Sequence, residues 1–158
     1  MFTSISNNSN WKLNIVAFSN GPRKYVLRAL KEIGLDTFFS PENVFAVTDV
    51  LPHCKPDKRS FDMVLKAIGS PKPEECIMVE DSMKNTRAAK ALGMKTILVV
   101  GKGRKGNNNK DEANNSNANA AEDTKPGDAP DETDPAVDGV VEVASEIGDI
   151  LDMWLGND

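Results

Sequence analysis

The stretch IMVEDSMKNTRAAKALGMKTILVV, Ile77 to Val100, decides the fold class. It opens on an apolar run, continues through "MKNTRAAKALG", whose composition suits a helix, and closes on a second apolar run, "KTILVV". Near-continuous apolar strands on either side of a helix are the pattern of parallel strands buried on both faces. The first run ends unusually, with Glu80 directly followed by Asp81 and then Ser82. Two like charges held that close repel unless a cation sits near them. The plain alternative is that both side chains splay into solvent at the strand end.

Upstream, the same alternation repeats. "NIVAF" (Asn14 to Phe18) reads as a buried strand, and "GPRKYVLRALKEIG" as the helix after it. Pro22 suits its first-turn position, Val26, Leu30 and Ile33 make its apolar stripe, and Gly34 suits its stop. "NVFAVT" is expected to be a second strand. "DKRSFDMVLKAIG" follows, with Asp57 as N-cap and Phe61, Val64, Leu65 and Ile68 on one helical face. "CIMVE" and "KTILVV" are the third and fourth strands. The class is therefore α/β.

Downstream the composition changes. Residues 102–136 are rich in Asn, Ala and Asp, basic first and acidic later, with almost no large apolar side chain. Such a segment cannot bury enough surface to offset its ordering entropy, and a disordered insertion is expected. Order is expected to resume over 137–156, where Val140, Val141 and Val143 suit a strand and Ile147, Ile150, Leu151 and Trp154 a helical stripe. An independent partner-binding helix is the alternative for that tail. Residues 1–13 are expected to be unstructured, leaving 14–101 as the body of the core.

Bulk properties exclude several classes. With 158 residues and a net charge of −5, the chain suits one domain and disfavours nucleic acid polymers and anionic membranes. No apolar run approaches a bilayer span, and "MFTSISNNSN" lacks the features of a secretory signal. Cys54 and Cys76 lack metal-type spacing and read as reduced thiols of a cytoplasmic protein. The single His53 has no identifiable triad partners.

Ligands of open parallel sheets collect at the carboxyl ends of strands. Three such ends carry polar groups here: Ser19, Asn20 and Gly21 after the first, Lys55 in "HCKPD" after the second, and Glu80, Asp81 and Ser82 after the third. A hydroxyl and backbone N–H groups at a helix start can hold phosphate oxygens, and a lysine can offset phosphoryl charge. A carboxylate pair can hold magnesium, which prefers oxygen ligands. Each feature has a plain reading, respectively a turn, a surface lysine and a solvated strand end; their succession on neighbouring strand ends favours one phosphate-and-magnesium site.

On these motifs the chain resembles the haloacid dehalogenase-like hydrolases, most closely the pyrimidine 5′-nucleotidase-type members, over about Asn14 to Gly101 with a weaker echo in the last strand and helix. The resemblance implies a Rossmann-like, doubly wound parallel sheet. It implies that Ser19, Asn20 and Lys55 bind the transferring phosphoryl group, and that Lys55 stabilises its charge. It further implies Asp81 as a Mg²⁺ ligand, with Glu80 assisting and Ser82 and Asn85 in support. The substrate would be a small phosphorylated metabolite, such as a pyrimidine nucleoside monophosphate, hydrolysed through a phospho-aspartate. The response-regulator receivers combine similar groups, but with the acidic pair first and the lysine last, an order that fits poorly here.

The family's nucleophile, an Asp-x-Asp after a strand, is missing: no Asp-x-Asp occurs in the 158 residues. In the family that strand lies between the Ser-bearing strand and the one with the acidic pair. The expectation is thus a partial sheet without its central nucleophile strand or a cap domain, and an N-terminally truncated polypeptide with little phosphatase activity and weak magnesium binding. Without the strand, its two neighbours must pair directly or leave buried backbone groups unmatched, at about 1–3 kcal/mol each. A non-catalytic remnant that binds phosphate ligands or a partner is the second reading, and complementation by another chain carrying the nucleophile is the third.

Overall fold

A computed structural model describes residues 13–102 and 128–155. The expectations for residues 1–12 and for 103–127, most of the insertion, lie outside the described residues. Contacts divide the described chain into two compact units, 13–76 and 77–155. Among the described residues each unit holds one hydrogen-bonded sheet, and within each sheet the paired strands run parallel.

In the first unit, β1 (Ala17–Phe18) pairs with β2 (Val44–Phe45). Helix α1 (Arg23–Glu32) begins one residue later than expected, so Pro22 occupies the N-cap position. Its carbonyl accepts the N–H groups of Tyr25 and Val26. Gly34, at φ 71°, ends the helix in the left-handed conformation that favours glycine. The expected apolar stripe is only partly covered, for Ile33 is 65 % exposed.

The strand expected over "NVFAVT" stops after Phe45, and Val47–Val50 form a single helical turn, α2. The cause is a polar clamp. Asp49 Oδ2 accepts the Ala46 N–H at 2.8 Å and also the Arg23 guanidinium at 2.8 Å. Arg23 in turn donates to the carbonyls of Val44 and Pro41. Helix α3 (Lys58–Ala67) starts as read: Asp57 caps it, accepting the Arg59 N–H at 2.9 Å, and Phe61 and Val64 are buried. Phe61 meets the Phe18 ring edge-on at 5.6 Å.

In the second unit, β3 (Ile77–Glu80), β4 (Lys95–Val99) and β5 (Gly139–Val141) lie in that order, with α4 (Met83–Ala91) crossing from β3 to β4. The register sets Glu80 opposite Leu98 and Leu98 opposite Val140. Val143, expected in the last strand, lies beyond it at the start of a 3₁₀ turn. Helix α5 (Ile147–Leu155) turns Ile150 and Trp154 onto Gly139. A Cβ on Gly139 would stand 3.1 Å from Ile150 Cδ1 and 3.3 Å from Trp154 Cζ2, so a larger residue there would make those side chains shift by a few tenths of an ångström.

The end of the expected insertion and the residues leading into β5 are pinned to α4 and β4. Asp134 binds Arg87 at 2.8 Å, Asp138 binds Lys90, and the buried Thr96 donates its hydroxyl to the Ala136 carbonyl. The Thr96 N–H donates to Asp138 Oδ2 at 2.9 Å. The Ala136 N–H and Arg87 hold the Asp134 carboxyl below the usual carboxylate range. For Asp138, burial pushes upward, and the Lys90 and Thr96 hydrogen bonds more than offset it. A carboxyl depressed in the fold stabilises above its unfolded pKa, about 3.9, and that stabilisation is lost as pH falls through the folded values. Thermal melts followed by circular dichroism are accordingly expected to lose stability below about pH 4. The double variant Asp134→Asn, Asp138→Asn should show a shallower loss; parallel curves for the two proteins would refute the assignment.

Candidate functional site

The first group of expected site residues lies in the unit 13–76. Strand β1 ends at Phe18, and the Ser19 N–H continues its ladder by donating to the Phe45 carbonyl at 2.9 Å. The chain then turns tightly, and the Gly21 N–H donates to Ser19 Oγ at 3.0 Å. That bond fills an acceptor position of the hydroxyl and leaves its proton to donate elsewhere. Asn20 clamps the backbone of Lys55 from both sides: its Nδ2 donates to the Lys55 carbonyl at 2.9 Å, and its Oδ1 accepts the Lys55 N–H at 3.0 Å.

Lys55 is only 6 % exposed. Its Nζ donates to the Phe18 carbonyl at 2.9 Å and lies 5.0 Å from the centre of the Phe18 ring. A buried ammonium needs such compensation, here a carbonyl dipole and an aromatic face. Ser19, Asn20 and Lys55 are thus brought together at one strand end, although 35 residues separate Asn20 from Lys55. The neighbouring His53 pairs with Asp57, Nδ1 to Oδ2 at 3.3 Å. Hydrogen bonds from the Arg59 side chain and backbone hold Asp57 well below the usual carboxylate range. Cys54 and Cys76 are free thiols. Burial, with Glu75 and Glu74 nearby, pushes the Cys76 thiol up.

The second group lies in the unit 77–155. Glu80 and Asp81 do not face one way: Glu80 is buried and Asp81 exposed. The Glu80 carboxylate bends back onto the turn, where Oε1 accepts the Asp81 N–H at 3.2 Å and the Ser82 N–H at 3.3 Å. Asp81 presents its carboxylate outward from that turn. Ser82 stands at the N-cap of α4 without capping it through its side chain; its hydroxyl donates instead to Asp128 Oδ1 at 2.8 Å. Asn85 is 5 % exposed, and its Oδ1 has no hydrogen-bond partner among the described residues.

Asp128 was not among the residues expected from the sequence, which placed it in the insertion. It accepts the Ser82 hydroxyl and the Lys84 N–H, and it pairs with Lys84 Nζ at 3.1 Å. Burial pushes its carboxyl up, but these donors more than offset that and hold it below the usual range. One signal could have exposed it. Asp128, Asp131 and Asp134 recur every three residues, as do Lys84, Arg87 and Lys90 on α4. Matching charge periods of this kind suit two segments lying side by side.

The oxygen donors present are of the kind magnesium accepts: an exposed carboxylate at Asp81 and an orphaned amide oxygen at Asn85. No cluster of three or more acidic, His or Cys side chains suited to a metal occurs among the described residues. No helix among them is long and apolar enough to cross a membrane.

Known proteins with similar sequence or fold bear on the family to which the chain belongs. The chain is 34 % identical over 90 residues to "Putative phosphatase YhcW" of Bacillus subtilis, covering 57 % of this chain and 39 % of that one. It is 34 % identical over 77 residues to "Pyrophosphatase PpaX" of Halalkalibacterium halodurans, covering 49 % of this chain and 34 % of that one. The chain therefore spans well under half the length of these relatives. The crystal structure of a conserved haloacid dehalogenase-like protein from Agrobacterium tumefaciens matches the fold with a TM-score of 0.64. That match is 20 % identical and covers 92 % of this chain and 56 % of the other. The family model for haloacid dehalogenase-like hydrolases matches residues 6–93, more than half of the sequence, and the chain belongs to that family.

Proposed function

We propose that this chain carries the phosphoryl- and magnesium-binding elements of a phosphate monoester hydrolase, without the aspartate that attacks phosphorus. The carrying observation is the Ser19–Asn20–Lys55 cradle at the end of β1. In this reading the Ser19 hydroxyl, its oxygen engaged by the Gly21 N–H, donates its proton to a phosphoryl oxygen. Lys55, fixed by Asn20 through its backbone and by Phe18 through its ammonium, offsets the charge of the group in transit. Asp81 is the leading ligand for Mg²⁺, with Asn85 Oδ1 as a further oxygen donor in the same unit. Glu80 acts mainly by shaping the turn that presents Asp81. When bound, magnesium would supply charge neutralisation at the phosphoryl oxygens. One carboxylate and an amide make a sparse donor set, so metal binding by this chain alone is weak.

The substrate we assign is a small phosphorylated metabolite of the pyrimidine nucleoside monophosphate type, an assignment supported only by the motif resemblance. The free thiols Cys54 and Cys76 fit a cytoplasmic setting. One observation favours a second reading, a non-catalytic phosphate-binding protein: no Asp-x-Asp stands anywhere in the 158 residues.

Binding separates this proposal from a purely structural role for these residues. The full chain is titrated with Mn²⁺ as a magnesium surrogate, followed by water-proton relaxation, and with orthovanadate, followed by protection against thermal unfolding. Asp81→Asn is expected to weaken Mn²⁺ binding about ten-fold or more while leaving the denaturation midpoint unchanged, because the side chain is exposed. Lys55→Met is expected to abolish the vanadate shift, since a charge-assisted contact worth about 1.5–3 kcal/mol is lost. Wild-type protein that binds neither probe overturns the proposal.

A further inference from the structure

Resting on that reading of Asp81, we propose that Asp128 is a positioning residue for the turn that presents the metal-binding carboxylate. Residues Glu80, Asp81 and Ser82 link β3 to α4, and the turn is gripped at both ends. On the strand side, Glu80 Oε1 holds the Asp81 and Ser82 N–H groups. On the helix side the grip comes from Asp128, 46 residues beyond Ser82 in the chain. One oxygen, Oδ1, accepts both the Ser82 hydroxyl at 2.8 Å and the Lys84 N–H at 3.0 Å. The other, Oδ2, pairs with Lys84 Nζ at 3.1 Å.

An N-cap serine ordinarily turns its oxygen onto the first free N–H groups of its own helix. Here Ser82 is a donor, and a carboxylate from elsewhere takes the capping role. A negative charge at that position also complements the positive end of the helix. The side chain of Asp128 is 15 % exposed, which limits screening of these contacts by water. With Glu80 and Asp128 both in place, the backbone that carries Asp81 is fixed on either side of the one exposed carboxylate. Asp134 grips the same helix a turn further on, through Arg87, without touching the turn. It is the natural control.

The test uses the full, isotopically labelled chain and two readouts, amide hydrogen exchange and Mn²⁺ affinity. Asp128→Ala is expected to speed exchange at the Ser82 and Lys84 amides at least ten-fold, and to weaken Mn²⁺ binding by about ten-fold, the usual cost of losing a group that orients a metal ligand. Asp128→Asn keeps an acceptor oxygen for the hydroxyl and the amide, and should recover most of the protection. Should the alanine variant unfold, Asp128→Leu, which keeps the branched shape but removes both acceptor oxygens, is expected to show the same faster exchange and serves in its place. Asp134→Ala should leave both readouts at wild-type values while lowering stability. Unchanged Ser82 and Lys84 exchange in Asp128→Ala overturns the proposal, as does an equal response to Asp134→Ala. If wild-type protein binds no Mn²⁺, the metal reading of Asp81 falls, while the exchange measurement still decides whether Asp128 fixes the turn.

Discussion

Truncating Leu98 to alanine is expected to lower the free energy of unfolding by about 2–5 kcal/mol, measured by urea denaturation. Leu98 is fully buried in the central strand of the second sheet, with Glu80 opposite on β3 and Val140 opposite on β5. Its cluster includes the buried Met83 and Val100, with Val137 and Val140 packed against it. Because β4 is hydrogen-bonded on both edges, its backbone cannot move to close the void that three lost carbons leave. The cost should therefore combine lost apolar transfer with a persistent cavity. Leu98→Met, which nearly conserves volume, should cost less than about 1.5 kcal/mol. Ile33→Ala supplies the contrast. That side chain is 65 % exposed, and its truncation should stay within about 0.5 kcal/mol. If Leu98→Ala and Ile33→Ala proved equally mild, the cluster around Leu98 would not be the core of its unit.

The features legible in the sequence are those that local chemistry controls. Asp57 caps α3 because its own carboxylate reaches the Arg59 N–H two residues on, and that pattern needs no tertiary information. The strands over Ile77–Glu80 and Lys95–Val99 likewise announce themselves as apolar runs, and the stripe on α5 is half-buried where expected. The helical turn at Val47 was not legible, because Asp49 ends the strand in concert with Arg23, 26 residues away. Composition misleads differently at Asp128 to Ala136. Averaged over the Asn- and Asp-rich insertion, these residues carry too little apolar surface to fold by themselves. Their order comes from ion pairs with a basic helix face and from the buried Thr96 hydroxyl, terms that no hydrophobic average registers.

The candidate site divides in the same way. Motif spacing brought Ser19, Asn20 and Lys55 to notice, and the clamp between Asn20 and the Lys55 backbone gives that spacing a mechanical basis. The adjacency of Glu80 and Asp81 left two readings open, and the structure buries the first carboxylate while exposing the second. Glu80 satisfies the amides of the turn, so the carboxylates do not compete for one position and Asp81 alone is presented outward. That division was invisible to sequence reasoning, since a Glu side chain is long enough either to reach outward or to fold back.

Assayed with Mg²⁺ and para-nitrophenyl phosphate, the 158-residue chain is expected to release phosphate no faster than buffer. Binding groups alone do not supply the chemistry. Ser19 is the only hydroxyl in the cradle, its oxygen is engaged by the Gly21 N–H, and the nearby His53 is paired with Asp57. Among the described residues, no carboxylate or imidazole hydrogen-bonds the Ser19 hydroxyl to act as its base. A polypeptide that adds an Asp-x-Asp strand ahead of Asn14 is expected to raise turnover by about 10⁴-fold or more, the scale on which removing a nucleophile lowers catalysis. Changing the first aspartate of that strand to asparagine should return the rate to background while vanadate and Mn²⁺ still bind. Lys55→Met in the same polypeptide should lower kcat together with kcat/KM, because the lysine acts on charge that develops during transfer. Mg²⁺-dependent turnover by the 158-residue chain itself would mean that another residue attacks phosphorus, and would make Ser19 a candidate nucleophile.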